Sequence, residues 1–551
     1  MRKYTRFLPI IPLVFFSLFY FYPLASILKL SFAPDGRFQL DSASKLLTDS
    51  YYLRTLWFTF WQAVVSTVLT LLLALPAAYV FATYNFRYKQ TLRTISTLPF
   101  VLPTVVVANA FTALIGPRGI VNAIVQPLFQ LESPPIDIDQ TIWMILLAHV
   151  FYNYSVVLRI VSTYWQRINT DLAHAAETLG ASPWQRFRTI TLPLLRPAIT
   201  AAGVLVFIFT FTSFGVVLLL GGPRYATLEV EIYRQAVNIF DLPVAAALSL
   251  FQIIFTFVLM TVYTRTQSHI ATQPSARIAV AKPVSSRLDR WLVGGNLAVM
   301  FILLATPLLA LIARSFAWVD SNPFFFYIKL FDNERGSVFY VPPIEAVGNS
   351  LLYAAFAIVI ALSIGLICAY LVVDKNRWLD PIFMLPLATS AVTLGFGYII
   401  ALDEPPLNLR NSFILIPLAH ALVAIPFVIR TVLPALRSID PAVREAASTL
   451  GANPQRIWLT IDWPLLRRVL LVAAVFAFTI SMGEFGATVF IARPNSPTMP
   501  TAIFRFLGRP GAVNFGQALA MSTLLMLVCS AGFILIERLR IGDNSVDTGE
   551  F

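Results

Sequence analysis

The chain carries twelve apolar windows of about 20 residues or more. A helix of that length crosses the roughly 30 Å hydrocarbon layer of a membrane. Hydrophobic residues make up 58% of the chain and charged residues only 12%, so there are too few polar residues to cover these windows in water. We therefore predict an all-α integral membrane protein with about twelve transmembrane helices. The predicted spans are Leu8–Leu28, Leu56–Phe81, Ile95–Ile115, Ile142–Val161, Ala198–Leu220, Val244–Tyr263, Trp291–Ile312, Val347–Val373, Pro381–Leu402, Phe413–Val432, Val469–Ile491 and Ala518–Ile536.

Lysine and arginine are concentrated in alternate connecting segments. If the N-terminus lies in the cytoplasm, the inner segments and the termini hold 26 of the 40 basic residues but only 12 of the 28 acidic residues. Such an excess of basic residues is typical of cytoplasmic loops, and it predicts a multi-pass plasma-membrane protein with both termini in the cytoplasm. The same distribution accounts for the net charge of +12, so we expect no nucleic-acid partner.

The two halves of the chain are copies of each other at an offset of 271 residues. Six spans per half is an even number, so both copies enter the membrane in the same sense and are related by a pseudo-two-fold axis along the membrane normal. We expect the solute path to follow this axis. The matching segments are Leu147–His149 with Leu418–His420, Arg159 with Arg430, Gly180 with Gly451, Pro193 with Pro464, Phe214–Gly215 with Phe485–Gly486, and Arg234 with Arg505.

The repeat predicts the domain boundaries. Residues 1–266 form the first six-helix half, 267–290 a cytoplasmic linker, 291–541 the second half and 542–551 a polar tail. The first half is longer by about 20 residues, which we assign to the outer loop around residues 117–140.

The most informative segments are the inner loops 171–197 and 440–468, which follow the fourth span of each half. Between Ala175–Pro197 and Ala446–Arg468, 13 of 23 positions are identical without a gap. Each loop has a run of small residues, a glycine suited to the left-handed end of a helix, and a Ser-Pro or Asn-Pro helix start. We predict a rigid helix-turn-helix on the cytoplasmic face, built to dock a partner.

These loops resemble the EAA loops of permease subunits of binding-protein-dependent ABC importers. The resemblance extends over nearly the whole chain and is strongest to the fused double permeases that import ferric iron or thiamine, in which one chain supplies both transmembrane domains. The phrases Ser213–Val217 and Gly483–Thr488 support it. The first copy departs from the pattern, with His174 where the glutamate is expected. The residues that carry the resemblance are Ala175, Ala176, Gly180 and Pro193 in the first loop, and Glu445, Ala446, Ala447, Gly451 and Pro464 in the second.

The resemblance implies a fold of two parallel-repeat six-helix permease domains and a set of partners. Two copies of a cytoplasmic ABC ATPase would bind the EAA loops, and an extracytoplasmic solute-binding protein would deliver the solute. The chain has no phosphate-binding loop, so it is expected to be a translocation subunit and not an enzyme, with ATP-Mg in the ATPase and no cofactor or metal of its own. The resemblance favours ferric iron or thiamine as the solute and does not decide between them; other small solutes remain as alternatives.

A few polar residues are candidates for the solute path or for receptor contact. Glu484 is the single acid within the predicted spans and is replaced by Ser213 in the first half. A carboxylate in a membrane is costly, which favours either a functional role or a hydrogen-bonded structural one. His149 and His420 occupy equivalent positions within spans, where a structural hydrogen-bonding role is the alternative.

Arg234 and Arg505 lie in matching outer loops, where they contact the receptor or are simply solvated. A different class of protein, a twelve-helix secondary carrier with parallel repeats, would share the span count. Such a carrier would not need two matched EAA loops, and it usually places charged groups in several spans.

Overall fold

The structure is a computed structural model, and it describes residues 9–34, 36–168, 171–271, 281–316, 322–332, 341–374, 379–403, 405 and 407–541. Eleven of the described helices are long and apolar enough to cross a membrane, and a bent helix pair makes a twelfth. We number these spans 1–12. Spans 1–6 are Ile10–Phe32, Ser50–Thr83, Thr104–Leu128, Ile142–Gln166, Pro183–Phe211 and Leu242–Thr264, and spans 7–12 are Arg287–Ser315, Glu345–Val373, the pair Leu379–Leu387 with Ala391–Ala401, Leu415–Ser438, Pro454–Gly483 and Ala512–Leu539.

Short elements connect the spans. The helices of spans 6, 8 and 12 run on to Ala271, Asp374 and Ile541. Two short strands, Tyr84–Asn85 and Lys282–Pro283, pair in parallel and attach the end of the predicted linker to the first half. The predicted tail 542–551 and linker residues 272–280 lie outside the described residues. The other short helices are Asp41–Thr48, Lys89–Ile95, Leu98–Val101, Asp171–Thr178, Gly215–Leu220, Leu228–Tyr233, Phe325–Ile328, Pro441–Thr449, Thr488–Ile491 and Met499–Leu507.

The prediction of about twelve spans is confirmed, but the predicted third span, Ile95–Ile115, was wrong. Its helix begins at Thr104, and the helix Leu98–Val101 ends just before the break. Leu102 is extended, with ψ of 141°, because the ring of Pro103 disfavours a helical residue before it. After Ile115 the chain breaks and adds the helix Ile120–Leu128, which occupies the extra length assigned to the outer loop.

The bounds of the predicted fifth and eleventh spans, Ala198–Leu220 and Val469–Ile491, were also wrong, in the opposite direction. Both spans begin earlier, inside the loops, and end earlier, at Phe211 and Gly483. The residues beyond form separate short helices after a turn. The ninth span, predicted as Pro381–Leu402, is bent by 93° between its two helices. Hydropathy does not register these breaks, because the turns are short and lie between apolar segments.

Small side chains allow the helices of each half to approach closely. Spans 2, 4 and 5 pack together in the first half, and spans 8, 10 and 11 pack in the same way in the second. Small residues at helical spacing let neighbouring backbones come near within a membrane. The buried face of span 2 carries Thr59, Ala63, Ser66, Thr70, Ala74 and Ala77, and that of span 8 carries Ser350, Ala354, Ala357, Ala361 and Cys368.

The halves are joined by exchange of their first spans. Span 1 packs on the second helix of span 9, and span 7 packs on span 3, so each half reaches into the other by the same route. This reciprocal contact agrees with the parallel repeat. It places the third span of each half beside the axis that relates the two copies.

Candidate functional site

Each inner loop forms the predicted helix-turn-helix. The first loop helix is Asp171–Thr178 and the second is Pro441–Thr449, and each ends two residues before a glycine, Gly180 or Gly451. The two glycines have φ of 82° and 83°. The amides after them bond back across the turn, Ala181 N to Ala176 O and Ala452 N to Ala447 O, each at 3.0 Å. This is the left-handed helix end for which glycine is favoured.

The helix that follows each glycine is capped as the sequence predicts. The Ser182 hydroxyl accepts from the Gln185 amide at 3.3 Å, and the Gln185 side chain accepts from the Ser182 amide, which completes a capping box. In the second loop the Asn453 side chain accepts from the Arg456 amide at 2.8 Å. In both turns an N-cap side chain accepts from the third amide of the helix, and only the first turn has the reciprocal bond of a capping box.

Pro193 and Pro464 lie inside continuous helices that run from the loops into spans 5 and 11. A proline within a helix lacks the amide that would bond to the preceding turn. Both prolines follow a π-helical turn, Phe187–Thr191 in the first half and Trp458–Asp462 in the second. The wider turn accommodates the missing donor, so the loops are joined rigidly to the spans.

An ion pair fixes each loop helix to the helix after it, with different residues in the two copies. The Glu177 carboxylate pairs with the Arg186 guanidinium at 2.5 Å. In the second loop Arg444 pairs with Asp462 at 2.9 Å, and the Tyr370 hydroxyl also donates to Asp462. Glu445, the residue that the EAA pattern highlights, is exposed beside this pair.

The loops present apolar side chains to their surroundings. Leu179 and Leu450, which immediately precede the two glycines, are each 88% exposed, and Trp184 is 66% exposed. Ala175 and Ala446 are exposed and Ala176 and Ala447 are half-buried, so small residues flank each leucine. An exposed, duplicated apolar surface on rigid helices is suited to a protein partner.

His149 is buried in the first half and bridges two hydroxyls. Its Nδ1 lies 3.0 Å from the Ser66 Oγ and its Nε2 lies 2.8 Å from the Ser213 Oγ. The ring therefore ties span 4 to span 2 and to the turn that follows span 5.

His420 occupies the equivalent place with a more polar set of partners. Its Nδ1 lies 2.7 Å from the Ser481 Oγ, and its Nε2 lies 2.8 Å from the Thr488 Oγ1 and 3.4 Å from the Glu484 carboxylate. The predicted site residues Glu484 and His420 thus belong to one buried cluster. The structure brings Ser213 and His149 together in the same way.

The Glu484 carboxylate caps the short helix Thr488–Ile491. It is 7% exposed and accepts from the amides of Ala487 and Thr488 at 2.8 and 3.0 Å, and the Thr488 hydroxyl donates to it as well. Glu484 lies beyond the end of span 11 and not within it. Its role as a solute contact stays a prediction.

The two turns after spans 5 and 11 meet at the centre of the molecule. The rings of Phe214 and Phe485 stack with their centroids 5.7 Å apart, and they are equivalent residues of the two halves. The pseudo-two-fold axis therefore passes between them. A Cβ on the next residue, Gly215, would lie 2.2 Å from the Thr104 hydroxyl, so only glycine fits where this turn meets span 3.

Arg234 and Arg505 make the same contact in the two halves. Arg234 donates to the carbonyls of Gly222 and Pro223 at 3.3 and 3.4 Å. Arg505 donates to the carbonyls of Arg493 and Pro494, at 3.2 and 3.0 Å, which are the equivalent residues at the 271-residue offset. Each guanidinium thus closes the loop that leads away from a central turn.

Two buried carboxyl groups were missed by the sequence analysis. The helix Leu228–Tyr233 lies between spans 5 and 6 and is buried along its whole length. The Glu231 carboxylate accepts from Tyr51 at 2.8 Å and from Gln235 at 2.7 Å. Apolar residues on every face of Leu228–Tyr233 were the signal that this segment is not a solvated loop.

Glu229, on the same helix, joins the two halves. Its carboxyl accepts from the Gln252 amide at 2.5 Å and hydrogen-bonds to Ser390, which lies at the bend of span 9. Burial raises the pKa of Glu229 to about 8, although both hydrogen bonds oppose the shift. The group is therefore largely protonated at neutral pH.

Within the described residues, no group of three or more histidine, cysteine, aspartate or glutamate side chains lies close enough to hold a metal ion. Cys368 and Cys529 are both buried and are not joined to each other. The histidines bond to hydroxyls and a carboxylate, as described above.

The architecture of two parallel six-span halves with paired EAA-type loops is that of an importer permease. Residues 71–273 and 361–540 match the family described as the binding-protein-dependent transport system inner membrane component. The chain belongs to this family and contains its domain twice. It is a multi-pass inner-membrane permease subunit of an ABC importer, a class that works with an ATPase and a periplasmic binding protein, and this assignment displaces the secondary carrier.

Curated relatives extend over nearly the whole chain. The thiamine transport system permease protein ThiP of Brucella abortus (strain 2308) is 28% identical over 89% of this chain and 88% of its own length. ThiP of Haemophilus influenzae is 26% identical over 97% and 96%, and ThiP of Escherichia coli (strain K12) is 26% identical over 89% and 90%. Among solved structures, a chain of a bacterial alginate ABC transporter aligns with 49% of this chain and 95% of its own, with 20% identity and a TM-score of 0.41.

Proposed function

We propose that this chain is the double permease of a thiamine importer, with both termini in the cytoplasm. The similarity of the whole chain to permeases named for thiamine transport carries the choice of solute. The basic residues of the inner segments support the orientation. Ferric iron is the competing solute, since the family resemblance includes iron importers.

The two loop helices are the proposed docking sites for the ATPase. One chain offers two loops, so two ATPase subunits would bind per permease, with ATP-Mg held in the ATPase. Leu179 and Leu450 would insert into equivalent clefts, because their exposure and position are matched. The π-helical turns and the ion pairs join each loop firmly to spans 5 and 11, so movement of the ATPase would be passed on to the centre of the bundle.

The proposed solute path runs along the pseudo-two-fold axis. The stacked rings of Phe214 and Phe485 lie across this path and would separate during transport. Hydrogen bonds between His149 and Ser213 and between His420 and Thr488 hold the two turns that carry these rings. Arg234 and Arg505 close the loops that lead away from these turns, and the binding protein would dock on these loops.

Uptake of labelled thiamine and labelled ferric iron, compared in cells with and without the gene, tests the solute. We expect loss of thiamine uptake alone in the deletion strain, and restoration by the gene on a plasmid. Loss of iron uptake alone would reject thiamine, and loss of neither would reject both solutes while leaving the family assignment intact.

Purification of the importer through a tag on this chain tests the docking sites. We expect two ATPase subunits per chain, and loss of most of the ATPase from a Leu179→Ser/Leu450→Ser double variant. Leu288→Ser is the matched control, because Leu288 is also exposed, at 69%, but lies outside the loops. Equal ATPase recovery from both variants would show that the leucines do not form the docking surface.

A further inference from the structure

A groove of about 890 Å³ lies between spans 8, 11 and 12 of the second half. Three arginines line it, Arg467 and Arg468 from the start of span 11 and Arg538 from the end of span 12. The remaining wall is mostly apolar. It consists of Leu362, Leu366, Leu470, Leu471 and Leu539 with Trp463, Ser363 and Ala474.

The arginines lie at the membrane face that carries the loop helices. Arg467 lies four residues after Trp463, where the helix leaves the second loop, and Trp463 is 42% exposed. Tryptophan is enriched at the headgroup level of membranes. Arginine in such a place extends its head toward the interface and rests its stem against apolar groups.

The apolar wall runs from this level into the hydrocarbon layer. The helix of span 8 ends at Asp374, so Leu366 and Leu362 lie about 12 and 18 Å further in, at about 1.5 Å per residue. Half of a membrane's hydrocarbon layer is about 15 Å thick. The groove therefore has the depth of one acyl chain beneath a positively charged mouth.

None of the residues that line the groove is acidic. Asp462, the acidic residue nearest in sequence to Arg467, pairs with Arg444 and accepts from Tyr370. The lining therefore carries positive charge at its mouth and no negative charge.

We propose that this groove binds one anionic phospholipid from the leaflet on the loop-helix side, with the phosphate on Arg467 and Arg538 and an acyl chain along Leu366 and Leu471. That leaflet is the cytoplasmic one in the proposed orientation, on which this inference rests. Anionic lipids are concentrated at this surface, and basic pockets between spans bind their negatively charged headgroups. A lipid held here would brace span 11, which continues directly into the second loop.

The first half provides an internal control. Arg196 is exposed and stands at the position equivalent to Arg467, but the sequence positions equivalent to Arg468 and Arg538 hold Pro197 and Gln267. At these three positions the first half therefore has one basic residue, whereas the second half has three. Binding is expected in the second half only.

Native mass spectrometry of the purified full-length chain tests the site, with dioleoyl phosphatidylglycerol titrated against dioleoyl phosphatidylcholine. Each arginine is expected to contribute about fivefold to the affinity for an anionic lipid. The Arg467→Gln/Arg538→Gln variant should therefore bind phosphatidylglycerol about 25-fold more weakly than the parent. Arg196→Gln should match the parent, and Arg467→Lys/Arg538→Lys should keep most of the affinity. Phosphatidylcholine should bind weakly to every variant.

Equal phosphatidylglycerol binding by the parent and the double Gln variant would overturn the proposal, as would equal binding of the two lipids by the parent. Displacement of the lipid by millimolar inorganic phosphate would show that a free anion is recognised, and would overturn the role of the apolar wall. Lipid binding is measured on the isolated chain, so its outcome is independent of the solute. Failed thiamine uptake with intact lipid binding would reject only the proposed function.

Discussion

Replacement of Gly451 by valine should uncouple transport from the ATPase. Gly451 has φ of 83°, and no atom lies within 4 Å of the place that a Cβ would take. The cost of a side chain is therefore conformational and not steric. For a β-branched residue in the left-handed region that cost is about 2 kcal/mol, which corresponds to about a 30-fold shift away from the native turn.

The turn matters because it sets the angle between the second loop helix and span 11. Two backbone bonds close it, Gly451 N to Ser448 O and Ala452 N to Ala447 O, each at 3.0 Å. If valine moves the backbone out of this conformation, Leu450 and the loop helix are displaced together. The partner-facing surface is then wrongly oriented although the spans remain folded.

The assay is thiamine uptake and ATP hydrolysis in proteoliposomes that contain the permease, its ATPase and the binding protein. We expect uptake by Gly451→Val to fall by about 10- to 30-fold. Gly451→Asn should retain most of it, because asparagine tolerates positive φ. Gly294→Val is a second control, since Gly294 is also open to a Cβ but has no positive φ. Full uptake by a normally inserted Gly451→Val protein would refute the reasoning.

Three further substitutions probe the buried polar groups. Glu484→Gln replaces one acceptor oxygen by a donor that faces backbone amides, so the apparent melting temperature should fall. A raised KM for thiamine would show that Glu484 also contacts the solute, and an unchanged KM would leave helix capping as its single role. Burial raises the pKa of Glu229 to about 8 from an ordinary value near 4.5, so between these two pH values the folded state binds one proton more than the unfolded state. The free energy of unfolding should therefore fall by about 1.4 kcal/mol for each pH unit as the pH rises from about 4.5 to about 8. Glu229→Gln should remove this slope in thermal denaturation from pH 5 to 9, and parallel curves would contradict the assignment. Arg505→Gln should cost about 1–3 kcal/mol by releasing two loop carbonyls, whereas Arg224→Gln, an exposed control in the matching first-half loop, should leave the melting temperature unchanged.

The span count, the repeat and the two loops could be read from the sequence because each depends on a regular pattern. Apolar windows report the length of a helix, and the 271-residue offset reports the duplication. The loop turns follow from local chemistry, since glycine at position 180 adopts a positive φ at little cost and Ser182 and Asn453 are favoured at the start of a helix. Those predictions needed no knowledge of what the loops contact.

The breaks in the helices could not be predicted from hydropathy. Thr212–Phe214 and Gly483–Phe485 are apolar enough to extend a window, yet the chain turns there because the two segments meet across the pseudo-two-fold axis. The requirement for glycine at position 215 comes from Thr104, which is over a hundred residues distant. A contact of this kind is invisible until the helices are assembled.

The burial of the segment between spans 5 and 6 could not be predicted for a related reason. The sequence predicted an outer loop around Arg234 that contacts the receptor or is solvated, but Glu229 and Glu231 in this segment are 2% and 0% exposed. Their partners, Gln252 and Tyr51, lie on neighbouring spans, so only the tertiary structure satisfies them. A buried carboxyl group needs such partners, and a single sequence does not record which distant residues supply them.

The centre of the molecule shows how the repeat has become unequal while keeping its frame. His149 and His420 hold the two central turns from equivalent positions, but the first bonds only to hydroxyls and the second also contacts the Glu484 carboxylate. Both oxygens of that carboxylate already accept from the backbone. If a cationic solute passes along the proposed path, as the contact role predicted for Glu484 requires, attraction would come from one side of the path only, and these hydrogen bonds would stay in place. The raised KM of Glu484→Gln is the result that this role predicts.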